Sequence, residues 1–190
     1  MKTIVMTDSC CDLPYDFIKE SNIHVIPFTY HMDGEDYSDD FGKSLDYKEF
    51  YNRIRKGSMP TTSQITAFTF EENFRKFTSE GYSVIYIGFS SQLSSTFNNA
   101  ILARNMLLEE NPSLDITLID SRSASVGQGA IIFYVSQMLK EGKSKEEIIQ
   151  WVEENKLKVN HWFVVDSLEH LKRGGRISSA SAAVGTLLDI

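Results

Sequence analysis

The chain has 190 residues, 42% hydrophobic and 24% charged, which is enough to bury the core of a globular domain. Its formal net charge of −7 would repel a phosphate backbone, so we do not expect it to bind nucleic acid. No apolar run approaches the about 20 residues of a membrane span, no signal peptide is evident, and there are only two cysteines, so the sequence predicts a cytoplasmic protein without an integral membrane segment.

Apolar runs rich in β-branched residues alternate with segments of helical period, which is typical of βα units around a largely parallel sheet. In chain order, the predicted strands lie near residues 3–8, 24–31, 83–89, 115–120 and 161–166. The predicted helices lie near residues 14–21, 46–56, 67–79, 95–110, 124–140, 145–157 and 167–172. We therefore expect an α/β fold: a three-layer N-terminal domain over residues 1–158, followed by the beginning of a second α/β domain over residues 159–190.

Residues 159–190 hold one predicted strand, one short helix and the turn RGGR, which is too little chain to bury a core of its own. We expect this piece to be the start of an incomplete second domain, or to dock on the first. Its apolar stretch from Trp162 to Val165 would otherwise stay uncovered, so the sequence also predicts that the chain can dimerise through this segment.

Small hydroxyl residues collect where predicted strands and helices meet. Three such loops follow strands, TDSCCD (7–12), FSSQLSST (89–96) and DSRSAS (120–125), and a fourth, PTTSQIT (60–66), precedes a helix. The carboxyl ends of parallel strands share one edge of a sheet, where α/β folds bind ligands and helix N-termini favour anions. Helix capping requires only one hydroxyl per helix, so it does not explain several in one loop. Neutral hydroxyls are suited to bind a single carboxylate through charge-assisted hydrogen bonds.

Two other interpretations stay open from the residues alone. Asp8 and Asp12 could serve an enzyme that transfers phosphoryl or acyl groups, or bind magnesium together with Asp120. Alternatively, the chain is a structural or interaction module whose loops only cap helices. We prefer to explain the two aspartates as residues that cap the first helix and orient the hydroxyl loops, because Leu13-Pro14 follows directly. The four histidines lie outside the hydroxyl loops and no cysteine–histidine spacing is typical of a metal site, so we expect no catalytic residue, no metal and no cofactor.

Five segments, in this order and spacing, resemble the DegV family of bacterial fatty-acid-binding proteins: TDSCCDLP, TTSQIT, SSQLSSTFNNA, DSRSASVGQG and LEHLKRGGRIS. The resemblance implies two α/β domains with the acyl chain of a long-chain fatty acid between them. It also implies that the protein is a non-catalytic lipid-binding subunit. Its partner would be a separate fatty acid kinase, to which it presents the fatty acid for phosphorylation.

The resemblance further implies the residues of the ligand site. Thr62 and Ser94 would bind the carboxylate, and Arg176 would lie near the ligand headgroup or the kinase surface. Three neighbours would complete the site: Ser63, Ser95 and Thr96. The chain departs from the family pattern where Ser95 replaces a glycine and where Ile65-Thr66 replaces proline-serine, and family members are longer by a portion that supplies a further histidine ligand.

Overall fold

The computed structural model of the chain describes residues 2–165 and 168–187. Contacts divide the chain into two compact units, Met1–Asn160 and His161–Ile190. Within the described residues, no helix is both long and apolar enough to cross a membrane.

The strands of the first unit are β1 (Lys2–Asp8), β2 (Ile23–Ile26), β3 (Thr29–Met32), β4 (Glu35–Ser38), β5 (Thr61–Ser63), β6 (Tyr82–Gly88) and β7 (Ile116–Asp120). Its helices are α1 (Tyr15–Glu20), α2 (Tyr47–Arg55), α3 (Ala67–Ser79), α4 (Thr96–Glu110), α5 (Ser125–Lys140) and α6 (Lys145–Asn155). Short 3-10 turns lie at Ser9–Cys11 and Lys156–Lys158.

Four strands form a parallel sheet in the order β2-β1-β6-β7. The central strand β6 is buried on both faces, as its continuous apolar run predicts. Because side chains alternate along a strand, Tyr86 packs with α3 and α4 on one face, while Ile85 and Ile87 pack with α1, α5 and α6 on the other. Helices on both faces of a parallel sheet confirm the α/β fold class.

A second sheet, which the sequence did not reveal, is antiparallel and runs in the order β4-β3-β5. The prediction of one strand over residues 24–31 is wrong, because the chain leaves the parallel sheet at Pro27 and pairs again as β3. Proline has no N–H to donate to a strand ladder, which accounts for the break. Asp33 and Gly34 join β3 to β4 with positive φ angles of 57° and 88°, as a two-residue hairpin turn requires.

The second unit contains the helices α7 (Glu169–Arg173) and α8 (Ser179–Leu187). α7 is followed by Gly175, whose φ of 72° terminates the helix, and the Arg176 N–H donates to the Leu171 carbonyl at 2.9 Å. The strand predicted over 161–166 is wrong for residues 161–165, which have no neighbouring strand in the described part of the chain; residue 166 lies outside that part. Helix α8 was missed because its small residues give little apolar periodicity.

Candidate functional site

Three of the four hydroxyl-rich loops leave the same edge of the parallel sheet. β1 ends at Asp8, β6 at Gly88 and β7 at Asp120, and these strands are parallel neighbours. The loop of residues 89–96, here called the hydroxyl loop, lies in the middle because β6 lies between β1 and β7. The carboxyl edge of the sheet therefore brings these loops side by side.

The fourth segment reaches the same place from the second sheet. Asn99, in the first turn of α4, donates its side-chain amide to the Ile65 carbonyl at 2.8 Å and to Gln64 Oε1 at 3.3 Å. Gln64 directly follows Thr62 and Ser63 of β5. The segment that carries these two hydroxyls is thereby held against the first turn of α4, into which the hydroxyl loop leads.

The predicted contact residues differ in their access to solvent. Thr62 and Ser63 are exposed, Ser94 is half-buried, Ser95 is exposed and Thr96 is buried. Ser95 directly precedes α4, but its hydroxyl makes no capping hydrogen bond. Thr62, Ser63, Ser94 and Ser95 are therefore at least partly accessible to a ligand, whereas Thr96 is buried and its hydroxyl bonds to that of Ser94.

Ser94 and Thr96 form a hydrogen-bonded hydroxyl pair. The Ser94 hydroxyl donates to Thr96 Oγ1 at 3.0 Å and accepts the Thr96 N–H at 3.2 Å. A hydroxyl hydrogen rotates freely, so Ser94 can donate to a ligand instead while Thr96 donates to Ser94. The first turn of α4 adds the positive end of a helix dipole. This arrangement suits a carboxylate without requiring a cation.

Arg176 belongs to the second unit and is exposed. Its Nη1 donates to the Gly174 carbonyl at 2.5 Å. Its role near the ligand headgroup stays a prediction.

Asp8 is completely buried and accepts four hydrogen bonds. Its Oδ2 accepts the Tyr86 O–H and the Phe89 N–H, both at 2.8 Å. Its Oδ1 accepts the Cys10 N–H and the Gln128 side-chain amide, both at 3.2 Å. Burial raises the pKa of Asp8, and these four donors oppose the rise. With its oxygens occupied and shielded from solvent, Asp8 has no free position for a substrate.

Asp12 and Asp120 have surroundings different from those of Asp8. Asp12 is exposed and ends the 3-10 turn with a φ of 49°. Asp120 forms an ion pair with Arg122 at 3.0 Å and accepts hydrogen bonds from Ser91. Within residues 2–165 and 168–187, no group of three or more His, Cys, Asp or Glu side chains could hold a metal ion.

A cavity of about 750 Å³ opens at the opposite, amino-terminal edge of the parallel sheet. It is lined by the first residues of β1 and β6 and by Lys145, which is buried in an ion pair with Asp115. Its charged walls do not suit an acyl chain, because burying a charge without full compensation is costly. The cavity is therefore distinct from the hydroxyl-lined edge.

Comparison with known proteins relates nearly the whole chain to one family. A family model described as "Uncharacterised protein, DegV family" matches residues 2–190. A DegV domain-containing protein of Clostridium perfringens is 48% identical over 189 residues, which cover 100% of this chain and 65% of that protein. The chain thus spans less than two thirds of the length of this relative.

Two solved structures have the same fold. DegV of Bacillus subtilis, described as a fatty acid binding protein, is 34% identical with a TM-score of 0.81, over 97% of this chain and 64% of that one. A stearic acid-binding protein of Eubacterium ventriosum is 28% identical with a TM-score of 0.80, over 96% of this chain and 62% of that one.

Proposed function

The chain belongs to the DegV family, and we propose on that basis that it binds a long-chain fatty acid through the carboxylate. The observation that carries the proposal is the set of accessible hydroxyls beside the N-terminus of α4, at the carboxyl edge of the sheet. The description of two relatives as fatty-acid-binding proteins supports the same ligand.

In the proposed complex, Thr62 and Ser94 donate to the two carboxylate oxygens. Ser95 lies beside Ser94, and Ser63 follows Thr62 on the other face of β5. Thr96 donates to Ser94 when the Ser94 proton turns to the ligand. A hydrogen bond to a charged group contributes about 1.5–3 kcal/mol, so two hydroxyls supply substantial affinity without an arginine or lysine. Arg176 is proposed to act at the headgroup or at a kinase surface.

The acyl tail needs apolar cover to contribute to binding. Each buried methylene contributes about 0.8 kcal/mol, so tight binding requires most of the tail to leave water. We propose that residues 159–190 belong to a second α/β domain. The nearly complete exposure of Trp162 and Val164, at 95% each, supports this, because apolar side chains of this size are normally buried within a domain.

We expect the protein, expressed with the additional sequence that its relatives carry, to retain long-chain fatty acid through purification. Native mass spectrometry would show the bound acid as added mass, and solvent extraction would release it. The 190-residue chain alone should retain less, because it offers less apolar cover. Tight, saturable binding of stearic acid by this chain as a monomer would contradict the proposed domain arrangement. If neither protein binds any fatty acid, the proposed function itself is wrong.

We further propose that the protein presents the carboxylate to a separate ATP-dependent fatty acid kinase and performs no chemistry itself. Incubation with stearic acid, ATP and magnesium should then yield no acyl phosphate until a fatty acid kinase is added. Hydroxylamine trapping of the acyl phosphate measures this directly. Turnover without the kinase would mean that the chain is itself an enzyme.

The alternative of a phosphoryl- or acyl-transferring enzyme that uses Asp8 and Asp12 finds little support in the geometry. Asp8 is buried with both oxygens occupied. The neighbouring thiols are also poor nucleophiles, because burial raises the pKa of Cys11 to about 12 and that of Cys10 further still.

A further inference from the structure

Two aspartates end the strands on either side of β6, and each holds the hydroxyl loop. Asp8, at the end of β1, accepts the Phe89 N–H at 2.8 Å. Asp120, at the end of β7, accepts the Ser91 N–H at 3.2 Å and the Ser91 hydroxyl at 2.6 Å. The loop is thus held from both flanks within its first three residues.

Backbone hydrogen bonds connect this held part of the loop to Ser94. The Ser90 N–H donates to the Ser123 carbonyl at 3.0 Å, and the Ser90 carbonyl accepts the Ser94 N–H at 3.2 Å. Phe89, Ser90, Ser91 and Ser94 are thus all held by hydrogen bonds, although the loop contains no helix or strand before α4. The direction of the Ser94 hydroxyl depends on this path.

We propose that Asp8 and Asp120 are positioning residues of the carboxylate site, which fix the hydroxyl loop so that Ser94 and the first turn of α4 face the ligand. This inference rests on the proposed function. Neither aspartate touches the fatty acid in this proposal, since Asp8 has no solvent exposure and both act through the loop.

The chemistry of the two sites indicates why they hold carboxylates instead of amides. All four partners of Asp8 donate to it, so an asparagine would turn an N–H towards at least one N–H or O–H donor. Negative charge beside a bound carboxylate is unfavourable, but it is offset at Asp120 by the ion pair with Arg122 and at Asp8 by the four donors. The loop is therefore held by strong acceptors whose charge is largely compensated locally.

The first test measures amide hydrogen exchange in the hydroxyl loop of the ligand-free protein. In Asp8→Asn, we expect amide hydrogen exchange at Phe89, Ser91 and Ser94 to rise about 10-fold or more, because a charge-assisted hydrogen bond is worth at least that factor. Asp46→Asn is the matched control, since Asp46 accepts the Lys48 N–H at 2.9 Å at the start of α2. Its effect should stay within α2. Unchanged exchange in the hydroxyl loop of Asp8→Asn would overturn the proposal.

The second test measures stearic acid affinity under conditions in which each variant is fully folded. We expect Asp8→Asn and Asp120→Asn each to lower affinity about 10-fold, and Asp46→Asn to leave it unchanged. Asp120 is partly accessible, so its variant keeps the test decisive if Asp8→Asn does not fold. Wild-type affinity in both loop variants, despite faster exchange, would show that the aspartates are only structural. Failure of the wild-type protein to bind stearic acid would instead overturn the proposed function.

Discussion

Replacement of Thr62 and Ser94 together by alanine is expected to weaken fatty-acid binding strongly. The two substitutions remove both hydroxyls that we propose to donate to the carboxylate. Two hydrogen bonds to a charged group contribute about 3 kcal/mol or more, so affinity should fall at least about 100-fold. Thr62 is exposed and Ser94 is half-buried, so the fold should be little affected. Isothermal titration with stearic acid measures the change.

The matched control for this variant is Thr61→Ala with Ser79→Ala. Thr61 precedes Thr62 in β5 and projects from the opposite face of the strand. Ser79 lies at the end of α3, where its hydroxyl donates to the Lys76 carbonyl. This control removes the same two types of hydroxyl from the same domain and should keep wild-type affinity. Near-wild-type affinity in Thr62→Ala with Ser94→Ala would show that the carboxylate binds elsewhere.

The second large effect is expected from Gly129→Ala, which should destabilise the first unit. A Cβ at this position would clash with the Cys11 carbonyl oxygen and lie 3.2 Å from Leu13 Cγ. Within a helix, alanine is normally more stabilising than glycine by about 0.5–1 kcal/mol. We therefore expect a loss of stability where helix propensity alone predicts a gain. Overpacking against the backbone typically costs about 1–3 kcal/mol.

Thermal unfolding followed by circular dichroism tests this prediction. For a chain of this length, each kcal/mol shifts Tm by about 2–4 °C, so a cost of about 1–3 kcal/mol should lower the Tm of Gly129→Ala by about 2–12 °C. Ala130→Gly, at the next position of α5, is the control and should cost only the about 1 kcal/mol of helix propensity. A higher Tm in Gly129→Ala would mean that Cys11 moves aside without cost.

The long, regular elements were predictable because local periodicity decides them. Helix α3 begins at Ala67 and ends at Ser79, as the sequence predicts, and the central strand β6 is a continuous apolar run. The strand β5 was not predictable, since its three polar residues have no apolar alternation and it exists only through pairing with β3. Local sequence carries no record of such pairing.

In the candidate site, too, some features follow from local sequence and others depend on long-range contacts. The hydroxyl loops and their position at strand ends follow from the sequence, because parallel strands share an edge. The link that brings residues 60–66 to α4 depends on Asn99, which bonds to Ile65 34 residues away. The sequence predicts that Asp8 orients the hydroxyl loops but not through which bonds, because its partners Phe89 and Gln128 lie 81 and 120 residues from it. Only the folded chain brings these groups together.

The long separation between Asp8 and its partners also bears on how the protein folds. β1 cannot complete its sheet until β6 has been synthesised, since its register pairs Ile4 with Val84. Closing so long a loop is slow compared with forming a hairpin, so the β3–β4 hairpin should form early and the β1–β6 pairing late. The Asp8 carboxylate stays hydrated until that pairing occurs. The carboxyl edge of the sheet is therefore among the last parts to assemble, and the proposed fatty-acid binding would report the completion of folding.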